Sequence, residues 1–398
     1  MRGSLKVLCA FAVLVTACTE DVPSSSVWPD GTQPIRGQAP LGYISNNGDD
    51  TISVVELATM TELARVPVGL VPVHLEGPHH LTIDAANGWL YVGLSNVVTN
   101  AGSGPHGSHG TGTVPGHVQR LALSDLSPAG SVRVDPSLGD VVLSSDGRLV
   151  VSTHFELKKA LDAVANDLPV EDGWSSIVVS DAGSMSRRDV VAVCTAPHGA
   201  VLTDDDTTAL VACYGDDRIA YVDLTADPPE VVARVTVGGE ARDRPPSRYG
   251  PYSIVLSPDG RRAFVGNLDS ADVRVLDVDA RAMVDGYRTM VGGAAFFGTF
   301  STDGRLFYVP RQGIDGITVL DAATGEIERM RTFTEAECDA PHEVVVSDAL
   351  SRLFIVCEGD HRGAGRLVSL DPESLEIEGE VELGIYPDAL RVIDEVTW

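Results

Sequence analysis

The sequence is poor in basic residues and aromatics, and beyond its first residues it has no long apolar run. Lys and Arg number 29 against 57 Asp and Glu, a formal net charge of −28. That balance removes the electrostatic drive to bind nucleic acid or an anionic lipid surface. After Val15 no apolar segment approaches the roughly 20 residues that a membrane-spanning helix needs. Reaction signatures are missing too. There is no Gly-x-Ser-x-Gly elbow, no phosphate loop, no dinucleotide fingerprint in a strand–turn–helix setting, and no Cys-x-x-Cys-His for covalent c-type haem. A nucleotide cofactor is therefore not expected. Helical periodicity is nearly absent.

The N-terminus has a definite make-up. Arg2 and Lys6 flank the start of an apolar run, Val7 to Val15, of signal-peptide length. It ends in Val15-Thr16-Ala17-Cys18, which resembles the lipobox of bacterial lipoproteins. The alternative is an ordinary signal peptide with an incidental cysteine. The resemblance implies residues 1–17 as signal peptide, lipid on Cys18, and a membrane anchor through that lipid in the cell envelope. Thr19, in place of Asp, leans by resemblance towards the outer membrane of a Gram-negative host. Residues 18–40, rich in Ser, Pro, Asp and Gly, read as a flexible tether. Residues 41–398 read as the folded body, expected to be a monomer.

Four cysteines remain in that body. Cys194 and Cys213, and Cys338 and Cys357, are each 19 residues apart in matching surroundings: Cys194-Thr-Ala-Pro-His198 and Cys338-Asp-Ala-Pro-His342. Outside the cytoplasm this favours two disulfides; thiolate ligation of a metal is the alternative.

An internal repeat organises the rest. A Pro-containing turn, a short apolar strand, Ser or Asp with Gly, and a second apolar strand recur, most clearly from Gly250 to Asn267. Other copies begin at Pro78, Leu138, Pro197, Ala295, Pro341 and Pro387. Third and fourth strands follow in several copies. Four short strands every 45 or so residues is the spacing of propeller blades, so seven starts predict an all-β, seven-bladed β-propeller. The last start leaves room for one strand and Leu41 to Val68 holds three, so the terminal blade is expected to be closed by both chain ends. The stretches Tyr43-Ile-Ser-Asn46 and Phe264-Val-Gly-Asn267, with the Ser-Pro-Asp-Gly turn at Ser257 to Gly260, resemble the YVTN family of β-propeller repeat proteins. That resemblance implies the fold and leaves the function open, since similar propellers serve as surface proteins, binding modules, lactonases and redox enzymes.

The slot just after the Pro that opens an inner strand should ring one end of the central channel. The seven slots hold His79, Gly139, His198, Tyr252, Phe296, His342 and Asp388. All ten histidines map to that face. Neutral imidazole is a good ligand for transition metals. The candidate set is His79, His198 and His342, with His80 or His154 as a fourth ligand and copper or zinc as the metal. Tyr252, Glu343, Glu358 and Asp388 are candidates for the surrounding shell or for ligand contact. His106, His109 and His117 are placed in a Gly-rich insertion that is either a lid or a solvated loop. The span 155–173 predicts one short helix, with Leu157, Ala160, Leu161 and Val164 at helical spacing. The competing reading of the histidines is that they order loops by hydrogen bonding or line a pocket.

Three functions follow. The first is an envelope propeller that binds a small molecule or envelope protein on its His-rich face, with or without a metal. The second is an enzyme, either a copper-type oxidoreductase or a lactonase-like hydrolase. For the hydrolase Glu76, Asp140, Glu343, Glu358 and Asp388 are candidates. The third is a structural surface protein.

Overall fold

Short β-branched strands punctuated by Gly, Pro and Asp can bury their apolar faces only by stacking sheet on sheet. The computed structural model shows them doing so as seven antiparallel blades arranged in a ring. It describes residues 33–71, 73–96, 111–239 and 244–395. The expected signal peptide, Cys18, residues 18–32 of the tether, and His106 and His109 lie outside the described residues. No helix among the described residues is long and apolar enough to cross a membrane.

The inner strands begin within one residue of the sequence expectation: Pro78–Asp84, Leu138–Leu143, Pro197–Leu202, Pro251–Leu256, Ala294–Ala295, Pro341–Ser347 and Pro387–Ile393. Pro387–Ile393 pairs with Leu41–Asn46, so the first blade is built from both ends of the chain and no sheet edge is left at the seam. The core lies between blades. Leu41, Tyr43, Ile52 and Val54 of one blade bury themselves against Leu81, Leu90 and Val92 of the next, each side chain stabilising the fold by about 1.5–3 kcal/mol.

The Ser-Pro-Asp-Gly turn has a local cause. The Ser257 hydroxyl donates to Asp259 at 2.6 Å, and Gly260 adopts φ +68°, where a Cβ would strike Asp204. Ser144, Thr203 and Ser301 repeat the same hydroxyl-to-Asp bond in their own blades.

Both disulfides form, with Cα separations of 5.9 Å for Cys194–Cys213 and 5.2 Å for Cys338–Cys357. The first ties the end of one blade's outer strand, Ser186–Cys194, to the second strand of the next blade, Thr208–Cys213, and the second ties the short helix Glu335–Cys338 that precedes an inner strand to that blade's second strand, Arg352–Cys357. Closing such a loop contributes on the order of 3 kcal/mol. The predicted helix is present at Leu157–Ala165, but its buried face is Ala160 and Ala163, packed on Gly173. Leu161 and Val164, expected to face inward, are exposed, because only small side chains fit the close approach to Gly173.

Candidate metal centre

Side chains alternate along a regular strand, so His79 and His80 should point to opposite faces. They do not, because the pairing register slips between Pro78 and Leu81. This bulge re-aims the strand's first side chains. The same slip occurs at Leu138/Val141, Pro197/Ala200, Pro251/Ser253 and Pro341/Glu343. It is a property of the slot. Neighbouring blades then fix the slot residues: Ser45 donates to the His79 carbonyl and Thr153 to the His198 carbonyl. Gly139 leaves the room that His198 occupies, since a Cβ there would lie 3.3 Å from the imidazole Cδ2.

Four imidazoles and one carboxylate converge. One ligand atom each from His79, His80 and His198 lie within 4.8 Å of one another, and His80, His342 and Asp388 form a second such group. His79 Nε2 is 3.4 Å from His198 Nε2. Asp388 receives His79 Nδ1 on one oxygen and lies 2.9 Å from His342 Nδ1 with the other. His80 Nδ1 is 3.0 Å from Asp140 Oδ1. Asp140 in turn accepts the Val141 and Ala200 amides. His80 Nε2 is buried without a hydrogen-bond partner among the described residues. All five residues of the cluster are 0% exposed.

The electrostatics follow from this packing. Burial opposes ionisation of Asp388, yet His79 and His342 hold its carboxyl well below the usual range. Burial opposes a charged His342, yet Asp388 and Glu358 push it up to about 9. Burial also opposes ionisation of Asp140, and His80 with the Ala200 amide overcomes it.

An aromatic wall closes the cluster. Tyr252 stacks on His198 with ring centroids 3.6 Å apart, and Phe155 meets His198 edge-on at 5.3 Å. Phe297 lies 4.4 Å from the His80 ring. It gets there because the inner strand of its blade breaks between Ala295 and Thr299, and Phe297 bridges instead to Glu343 of the next blade.

Other candidates lie elsewhere. His154, considered as a fourth ligand, turns away: its ring nitrogens face the Pro136 carbonyl and Ser152 Oγ, each at 3.2 Å. His117, placed in the insertion by sequence, is within the strand Pro115–Ala122, opposite Leu94 and Arg133. A half-buried strand position cannot act as a mobile lid. Glu343 holds Arg391 at 2.5 Å and the Leu390 amide at 2.7 Å. Glu358 holds His361 at 2.6 Å and Gln312 at 2.8 Å. Glu76 accepts the Leu70 and Val71 amides. The roles of Asp140 beside His80 and of Phe297 over it were not read from sequence, since both depend on bulges and strand breaks that leave no residue pattern.

No family model and no curated protein matches this chain. Solved structures do. A periplasmic gluconolactonase of Pseudomonas aeruginosa superposes with TM-score 0.62 at 17% identity, covering 89% of this chain and 99% of that one. A protein of unknown function from Desulfotomaculum acetoxidans gives 0.63 at 12%, covering 90% and 100%. Hydrazine synthase of Kuenenia stuttgartiensis gives 0.59 at 16%, covering 82% and 99%. Such distant likeness establishes the propeller fold and no activity.

Proposed function

We propose that this chain is an exported metal-binding propeller in which His79, His80, His198 and His342 hold one copper or zinc ion at the channel mouth. The observation that carries this is the 3.4 Å separation of His79 Nε2 and His198 Nε2. Two nitrogens bound about 2.0–2.1 Å from one tetrahedral ion lie roughly 3.3–3.4 Å apart. Asp388 takes the Nδ1 side of His79 with its carboxylate and of His342 with its carbonyl at 2.8 Å, and Asp140 lies 3.0 Å from His80 Nδ1, an outer layer of the kind that orients metal-bound imidazole. The partnerless His80 Nε2 then has a role. The ion would join histidines of three blades and, through Asp388, the blade that closes the ring.

A four-imidazole site sealed by aromatics lacks the open position that hydrolytic metal sites keep. It favours an ion that stabilises the top face for ligand or partner binding, or that passes electrons if it is copper. A lactonase-like hydrolase draws support from the names of distant neighbours, the Pseudomonas gluconolactonase and two putative 6-phosphogluconolactonases of Bacteroides. Against it, Glu76, Asp140, Glu343, Glu358 and Asp388 are each already engaged inside the protein. The two disulfides support an oxidising compartment, consistent with a lipid-anchored envelope location through Cys18.

The test is elemental analysis of protein exported to the periplasm and purified without a polyhistidine tag. Near-stoichiometric copper or zinc is expected. Protein that neither retains nor takes up copper, zinc, iron or nickel contradicts the proposal.

A further inference from the structure

A second buried cluster lies beside one disulfide. Asp216 is 0% exposed, and among the described residues its carboxyl oxygens make no ordinary hydrogen bond, the nearest cation being Arg218 at 3.7 Å. One carboxyl oxygen and the sulfurs of Cys194 and Cys213 lie within 4.8 Å of one another. A buried carboxyl held only by so long an ion pair is costly to keep charged, which singles it out beside a disulfide.

The repeat supplies an internal control. Cys213-Tyr214-Gly215-Asp216 matches Cys357-Glu358-Gly359-Asp360 position for position. Asp360 is solvent-facing and accepts the Arg362 and Gly363 amides at 2.9 and 2.8 Å, an ordinary turn role. Asp216 instead turns inward at the end of the 3-10 turn Tyr214–Asp216.

We infer that Cys194–Cys213 is a redox-active disulfide, open to exchange with a dithiol reductant, with Asp216 as the acid–base group for its sulfurs and Cys338–Cys357 as a structural bridge. The reductant's thiolate attacks one sulfur, forming a mixed disulfide and breaking the protein S–S bond. The electron pair leaves on the other sulfur, which takes the Asp216 proton. The reductant's second thiol then displaces the first sulfur and gives it its proton. The dithiol ends as a disulfide, the protein as two thiols. Both sulfurs are buried, so exchange needs a local opening that admits the reductant while Asp216 stays beside the sulfurs.

Burial pushes the Asp216 carboxyl up to about 7, with Asp217 adding to the rise. Arg218, 3.7 Å away, Arg234 and the Thr195 amide oppose it. The proton is therefore present at and below neutrality and lost above it. The inference does not depend on the metal proposal.

The test treats the folded full chain with dithiothreitol at about pH 6, 7 and 8, traps thiols by alkylation, and counts each cysteine by mass spectrometry. Cys194–Cys213 should open about tenfold or more faster than Cys338–Cys357. Its rate per dithiothreitol thiolate should fall about tenfold from about pH 6 to 8. Asp216→Asn should flatten that profile, and Asp360→Asn should leave it alone. Equal rates for the two bridges, or an unchanged profile in Asp216→Asn, overturn the inference. If Asp216→Asn does not fold, the comparison of the two bridges in the native chain decides.

Discussion

His79 Nε2 faces His198 Nε2 at 3.4 Å, although 119 residues separate them in the chain. Two neutral imidazole nitrogens make at best one long hydrogen bond at that distance. Two ligands of one ion require about that spacing.

Removing either ring should therefore abolish metal retention. His79→Ala and His198→Ala are each expected to lose the bound ion, while His154→Gln keeps it, because His154 is spent on Pro136 and Ser152. Metal-to-protein ratios after gel filtration check this.

Asp388→Asn should weaken metal binding about 10- to 100-fold without abolishing it, the usual loss when a carboxylate behind a ligating histidine is removed. Competition titration against a chromophoric chelator measures the shift.

If the ion binds only the folded chain, it stabilises it. Free metal at about 100 times its dissociation constant should add about 2.7 kcal/mol. Denaturant melts with and without chelator read this, and the increment should vanish in His198→Ala.

Acid should destabilise the fold through His154. Burial lowers its pKa from 6.5 to about 4. Because the folded value is the lower one, the unfolded chain binds the proton first. The contribution is full above about pH 6.5 and is lost as pH falls towards 4, by on the order of 3 kcal/mol. The difference in stability between native protein and His154→Gln should shift in that window and stay flat above it.

Much of the fold is legible in the residues. Pro78, Pro197, Pro341 and Pro387 open inner strands, because proline, which has no amide to give the ladder, suits a strand's first residue. Ser257 to Gly260 marks its turn by its own hydrogen bonds. The slot histidines are also legible, since repeats align them. What the residues do not carry is the bulge. Strand alternation separates His79 from His80, and only the slip between Pro78 and Leu81 reunites them. For the same reason Asp140 could be named as an acid but not as the partner of His80. His154 misleads in the opposite sense: it ends its strand beside the slot, yet its ring is turned towards Pro136.

Glu343 illustrates a residue read as part of the site that serves the ring closure instead. It pairs with Arg391 and caps the Leu390 amide in the strand that closes the propeller. Glu343→Ala leaves the Leu390 amide unmet and Arg391 with only the Leu390 carbonyl, and should cost about 3 kcal/mol, with metal content unchanged. Chemical denaturation and elemental analysis of the same preparation check the two halves.

Anomalous diffraction at the metal edge, from crystals grown with copper or zinc, tests the central claim most directly. The expected result is one strong peak about 2.0–2.1 Å from the ring nitrogens of His79, His80, His198 and His342. A cluster that stays empty while the metal binds elsewhere on the chain would contradict it.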